Sequence, residues 1–119
     1  MKEFQEKVRV WVLQVLGAET CKNKTERTNR FLEEAIELAQ SAGCSKQDAI
    51  ALVEYVYNKE PGEAYQEVGD VLITLAAFCT AFKLDMAACG SLKLNDNWTD
   101  SEKIRAKFLN RPEQGPLPV

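Results

Sequence analysis

The stretch Glu67-Val68-Gly69-Asp70-Val71-Leu72-Ile73-Thr74-Leu75-Ala76-Ala77-Phe78 constrains the fold more than any other part of the chain. It is apolar on nearly every side when wound as a helix, and a helix of that kind belongs in a core. Glu67 and Asp70 are therefore out of place. A helix dipole stabilises acids in the first turn, which suffices for Glu63 and serves Glu67, but Asp70 lies too far in for that. Gly69 between the two acids costs about 1 kcal/mol relative to alanine, so a close helix contact or an approaching ligand is expected beside it.

A second helical pattern carries the same anomaly. In Glu33-Glu34-Ala35-Ile36-Glu37-Leu38, Glu34 falls between Phe31 and Leu38 at i−3 and i+4, among the apolar neighbours of its helix rather than on the polar side. A solvated face is the ordinary role of such glutamates. A carboxylate on an apolar stripe, however, is costly unless a cation or hydrogen-bond donors neutralise it. Glu34 with Glu37, and Glu67 with Asp70, stand three residues apart, so each pair projects from one helix face with an offset of about 4.5 Å along the axis. Two such helices packed antiparallel bring four oxygen ligands around one cation.

An all-carboxylate site selects a hard cation, magnesium first and manganese as its substitute, and magnesium commonly bridges protein carboxylates to substrate phosphates. The chain has no histidine, and Cys21, Cys44, Cys79 and Cys89 show no C-x-x-C spacing. A Cys/His zinc site and a histidine-bearing di-iron bundle are both disfavoured by this. No loop has the spacing of an EF-hand. The cysteines are expected as reduced thiols, with Cys79 buried in the run from Val71 to Phe82.

The remaining pattern is helical throughout, without a convincing strand. Phe4, Val8, Trp11, Val12, Val15 and Leu16 define a first helix stopped at Gly17. Thr25 with Thr28 or Asn29 offers caps for a second, from about Glu26 to Ala42, closed by Gly43. Ser45 caps a third, Lys46 to about Asn58, with Asp48 in its first turn. Pro61-Gly62 breaks the chain before a fourth, Glu63 to Phe82. Asp85 caps a short helix to Cys89, and Thr99-Asp100-Ser101-Glu102 resembles a capping box opening a last helix through Leu109. Three prolines and a glycine make residues 112–119 an extended arm. The expected fold is all-α: an antiparallel bundle of four to five helices in a single domain over residues 1–111, with the second and fourth helices adjacent.

With 119 residues, 45% of them hydrophobic, the chain has material for one thin core, and Trp11, Phe78 and Phe82 exceed what it would readily bury. A homodimer or homotetramer is expected on that ground. The net charge of −3 argues against a nucleic-acid polymer as partner, because phosphate backbones select basic faces. The longest apolar run is far short of the roughly 18 residues of a membrane span, and Met1-Lys2-Glu3-Phe4 begins an amphipathic segment rather than a signal sequence. A cytosolic setting without membrane attachment is expected.

Arg30-Phe31-Leu32-Glu33-Glu34 with Glu37, the stretch from Glu67 to Leu75, and Lys103-Ile104-Arg105-Ala106-Lys107 with the Pro-rich end together resemble the MazG-like all-α nucleoside triphosphate pyrophosphohydrolases, in their small phage and bacterial branch. The resemblance covers roughly residues 26–118, and the paired acidic motif is its specific part. It implies magnesium-dependent cleavage of a nucleoside triphosphate between the α and β phosphates, releasing a nucleoside monophosphate and pyrophosphate in a house-cleaning role. Position by position, it implies Glu34, Glu37, Glu67 and Asp70 as metal ligands, Glu33 as the group that orients or deprotonates the attacking water, and Lys103, Lys107 and Arg30 as contacts to substrate phosphate. The segment from Leu38 to Gln66 is long for the family, which leaves nucleotide choice open. Tyr57, Tyr65 and Trp98 are candidate stacking partners for a base, although aromatic residues at such spacings are more often core or interface. The alternative is a helical oligomer that binds nucleotide or metal without turnover.

Overall fold

The computed structural model describes residues 1–111 and 115–117, and among these it is all-helical, with seven helices and no strand. They are α1 (Lys2–Val15), α2 (Ala18–Lys22), α3 (Lys24–Ser41), α4 (Lys46–Tyr57), α5 (Ala64–Ala81), α6 (Met86–Thr99) and α7 (Ser101–Leu109). They group into two compact units, one of residues Met1–Glu34 with Gly90–Val119 and one of Ala35–Cys89. The expected extended arm falls partly on residues 112–114 and 118–119, which lie outside the described residues.

In the first unit, α1 packs against α2 and α7. Trp11, Val12 and Val15 on one face of α1 are buried, with Val8, Leu16, Cys21, Leu94 and Ile104 against them. Gly17 makes the turn that permits this. Its φ of +96° lies in the left-handed region that glycine occupies without strain, and its N–H donates to the Val12 carbonyl at 3.0 Å. The chain then folds back as the five residues of α2, which place Thr20 and Cys21 on the core. So short a helix shows no apolar periodicity, and it was not among the expected elements. Two more connections tie the unit together. Arg105 of α7 donates from Nε to the Val15 carbonyl at 2.9 Å and from Nη2 to the Gln14 carbonyl at 2.8 Å, giving the open C-terminal end of α1 two charged donors. Gly90 of α6 admits the Phe4 ring, whose Cζ lies 3.0 Å from where a β-carbon would stand.

Two expected caps are corrected. The N–H of Glu26 donates to Asn23 Oδ1 at 3.0 Å, so Asn23 rather than Thr25 starts α3, and the Thr28 hydroxyl is spent on the Lys24 carbonyl. The capping box at 99–102 does not form. Thr99 ends α6, which runs ten residues past the expected stop at Cys89, and Asp100 precedes α7 without a side-chain cap. Ser45 and Asp85 do cap as expected, accepting from the N–H groups of Asp48 and Ala88 at 3.1 and 2.9 Å.

The second unit is built differently. Cys79 is its one buried residue among those described, as its place in the apolar run suggests, and Phe78 stacks on Phe82 with ring centroids 4.4 Å apart. Between Ile36 and Leu84, fourteen large apolar or aromatic side chains are exposed, so the helix expected to be a core helix is not covered. Ile73 is 69% exposed and Tyr65 92%. Gly69, where a close contact was expected, has nothing within 4 Å of a would-be β-carbon. Among the described residues, no single helix is long and apolar enough to cross a membrane.

Replacing Arg105 with alanine removes both donors from the end of α1. An unfolding loss of about 1–3 kcal/mol is expected, whereas Lys103→Ala should stay within about 0.5 kcal/mol, measured by urea denaturation. Equal effects of the two substitutions would contradict a specific role for Arg105.

Candidate functional site

The Asn23 cap sets the phase of α3, and with it the ridge on which Glu26, Arg30, Glu33 and Glu37 follow one another at helical spacing. The carboxylates of Glu33, Glu34 and Glu37 converge, with one oxygen from each lying within 4.8 Å of the others. Glu33 is half-buried, while Glu34 and Glu37 are exposed. An offset of one helical turn brings Glu34 to Glu37, and the length of the glutamate side chain brings in Glu33.

The second acidic pair stands on α5. Glu67 folds back toward the chain before the helix, its Oε1 3.1 Å from where a β-carbon on Gly62 would stand, so the absence of a side chain at Gly62 gives the carboxylate room. Asp70 is exposed, and its carbonyl accepts from the Thr74 hydroxyl at 3.0 Å. Glu37, Glu67 and Asp70 share a unit, yet they form no close group. Glu33, Glu34 and Glu37 are the close carboxylate triad among the described residues. The desolvation expected at Glu34 and Asp70 is also corrected. Both are open to solvent, because the apolar side chains around them, including Phe31, Leu38 and Val71, are exposed too.

Basic groups meet Glu33 from a direction that was only partly anticipated. Arg30 Nη1 donates to Glu33 Oε1 at 3.2 Å, and Arg111, just past the end of α7, approaches the same oxygen at 3.9 Å. Glu26 Oε1 is shared by three guanidinium groups, Arg111 at 3.3 Å, Arg30 at 3.5 Å and Arg27 at 3.6 Å. The Pro116 carbonyl accepts from Arg30 Nη2. Burial, and then the charges of Arg111 and Arg30, push the Arg27 guanidinium below the usual arginine value against the pull of Glu26. Arg30 was anticipated, but Arg27 and Arg111 were not. Arg27 was readable as the i−3 neighbour of Arg30. Arg111 is 85 residues from Glu26, and no local pattern brings it there.

Lys103 and Lys107 are both exposed on α7. Lys103 lines an open groove of about 610 Å³ with Gln14, Trp98, Asp100 and Arg105. Trp98 borders this groove, while Tyr57 and Tyr65 stand almost fully exposed.

Chemically, α3 offers a hard, oxygen-only donor set and, one turn away, a cluster of guanidinium forks suited to oxyanions, with Glu33 belonging to both. No family model matches the chain, and comparisons with curated proteins and with solved structures return no match.

Proposed function

We propose that this protein is a magnesium-dependent nucleoside triphosphate pyrophosphohydrolase, cleaving between the α and β phosphates to give a nucleoside monophosphate and pyrophosphate. The observation that supports this most is the convergence of Glu33, Glu34 and Glu37 within 4.8 Å of one another beside the guanidinium of Arg30. The donor set fits magnesium in kind, being all oxygen. The MazG-like resemblance of the acidic motifs implies Glu34, Glu37, Glu67 and Asp70 as the ligands, with Glu33 beside them to orient water, in an antiparallel bundle completed in the assembled protein.

A magnesium ion held there would neutralise triphosphate charge and polarise the α-phosphoryl group. Glu33 orients the attacking water through its carboxylate. Its Oε1 is engaged by Arg30, which fixes the side chain and leaves the second oxygen to accept from water. Lys103, Lys107 and Arg30 oppose the charge of the leaving pyrophosphate. A non-catalytic nucleotide- or metal-binding module is the second reading, and one observation favours it: Glu33 Oε1 is already engaged by Arg30 and approached by Arg111.

With magnesium and a panel of standard and modified nucleoside triphosphates, pyrophosphate and monophosphate are the expected products from at least one, a deoxynucleotide or a modified nucleotide first. Glu33→Gln should lower turnover about 10²–10⁴-fold while keeping the rise in Tm on adding magnesium. Glu37→Gln should lose both. Orthophosphate as product would reassign the bond cleaved, and binding without turnover across the panel would establish the non-catalytic module.

We infer as well that the working form is a homodimer or homotetramer. The second unit carries a large apolar surface without cover, of the kind that obligate assemblies bury. The fourteen exposed apolar side chains between Ile36 and Leu84 are where such cover is needed, and Gly69 leaves room for another helix to approach α5. A second copy is the occupant that is always present at the needed concentration. Sedimentation equilibrium should give a dimer or tetramer at micromolar concentration, and Ile73→Lys should shift it toward monomer. A stable wild-type monomer would contradict the assembly.

A further inference from the structure

We propose that Arg27, Arg30 and Arg111 form a binding site for a polyphosphate oxyanion such as pyrophosphate. All three arginines belong to one unit of the fold and gather around Glu26 and Glu33. Three guanidinium groups face the carboxylates of Glu26 and Glu33 in a half-buried setting where screening by water is weak, with Glu34 and Glu37 lying beyond Glu33 on its exposed side.

The arginines are also short of acceptors. Their three contacts to Glu26 Oε1 fall between 3.3 and 3.6 Å, all longer than the roughly 2.7–2.9 Å of a good charge-assisted bond. One carboxylate oxygen cannot accept well from three forks at once. The Nε–H groups of Arg27 and Arg111 are each buried without a hydrogen-bond partner among the described residues, and that of Arg30 is buried with only its long 3.5 Å contact to Glu26. Buried donors are satisfied in nearly all proteins, and three together on one cluster mark a missing acceptor.

The form of the missing acceptor follows from the donors. A carboxylate engages one guanidinium fork well, whereas donors on three separate forks call for an acceptor with more oxygens, as on a phosphate or on linked phosphates. A nucleic-acid strand would carry its further charges across the carboxylates of Glu33, Glu34 and Glu37 in a chain of net charge −3, which disfavours it. The nearest competitor is internal. Gly115, at φ +88°, turns the chain so that the neutral Pro116 carbonyl takes one donor of Arg30, and an anion would displace that weaker acceptor. The choice of polyphosphate over other oxyanions rests on the hydrolase reading, but the presence of an anion site does not.

The test is calorimetric titration of the full chain with inorganic pyrophosphate in EDTA, repeated with inorganic phosphate and sulfate. Wild type should bind one pyrophosphate per chain, more weakly as salt rises. Arg27→Gln and Arg111→Gln should each weaken binding tenfold or more. Arg27→Lys and Arg111→Lys, which keep the charge and the fold but lose the fork, should fall in between. Glu60→Gln, a charge change outside both clusters, should bind pyrophosphate as wild type does, and the EDTA reads anion binding without metal or turnover. Absence of pyrophosphate binding by wild type, or wild-type affinity in both glutamine variants, would overturn the anion site. Sulfate or phosphate binding as tightly as pyrophosphate would overturn the polyphosphate assignment.

Discussion

The apolar surface that α4 and α5 leave uncovered is the constraint on which the rest of this structure depends. A twelve-residue helix such as α4 is marginal in water unless an apolar face is buried, and here Ile50, Leu52, Val53, Tyr55 and Val56 are all exposed. The Ser45 cap and the cation–π contact of Lys59 with Tyr55, 4.2 Å from the ring centroid, contribute at most a kilocalorie or so each. Neither substitutes for tertiary burial. A persistent α4 therefore calls for cover, and in the assembly proposed above a second copy supplies it to α4 and to the surroundings of Asp70 on α5.

The first unit meets its needs from within. The reversal at Gly17 presents one face of α1 to α2 and α7, Arg105 satisfies the carbonyls that the turn exposes, and the missing side chain at Gly90 makes room for Phe4. Along α3 the charges then alternate in clusters. Glu26 and Glu33 gather arginines, while Glu33, Glu34 and Glu37 gather negative charge, so Glu33 is drawn both ways. An anion and a cation bound on either side of it would each relieve the repulsion on its own side, which is a physical reason for the two to bind cooperatively.

Much of the helix order was legible in the sequence because its signals are local. Gly17 and Gly43 end helices at positive φ, and Ser45 and Asp85 accept from the first-turn N–H groups as their residue types predict. Thr25 misled because threonine and asparagine are both good caps and only the backbone distinguishes them. The length of α6 was hidden because Gly90 is tolerated mid-helix for the sake of the Phe4 ring, a contact between residues far apart in sequence. The acidic triad on α3 was readable from spacing, whereas Arg111 was not, since its partners lie across the fold. The burial expected for Glu34 and Asp70 failed for another reason. Periodicity states which face seeks cover, but not which chain provides it.

Hydrogen exchange of the full-length protein, read by mass spectrometry across residues 46–57 and 64–81, tests this most directly. At micromolar concentration the amides of α4 and α5 should be strongly protected, and protection should fall on dilution as the assembly separates. Exchange of α4 at the rate of an isolated peptide, or protection independent of concentration in a species of monomer mass, would contradict cover by a second copy.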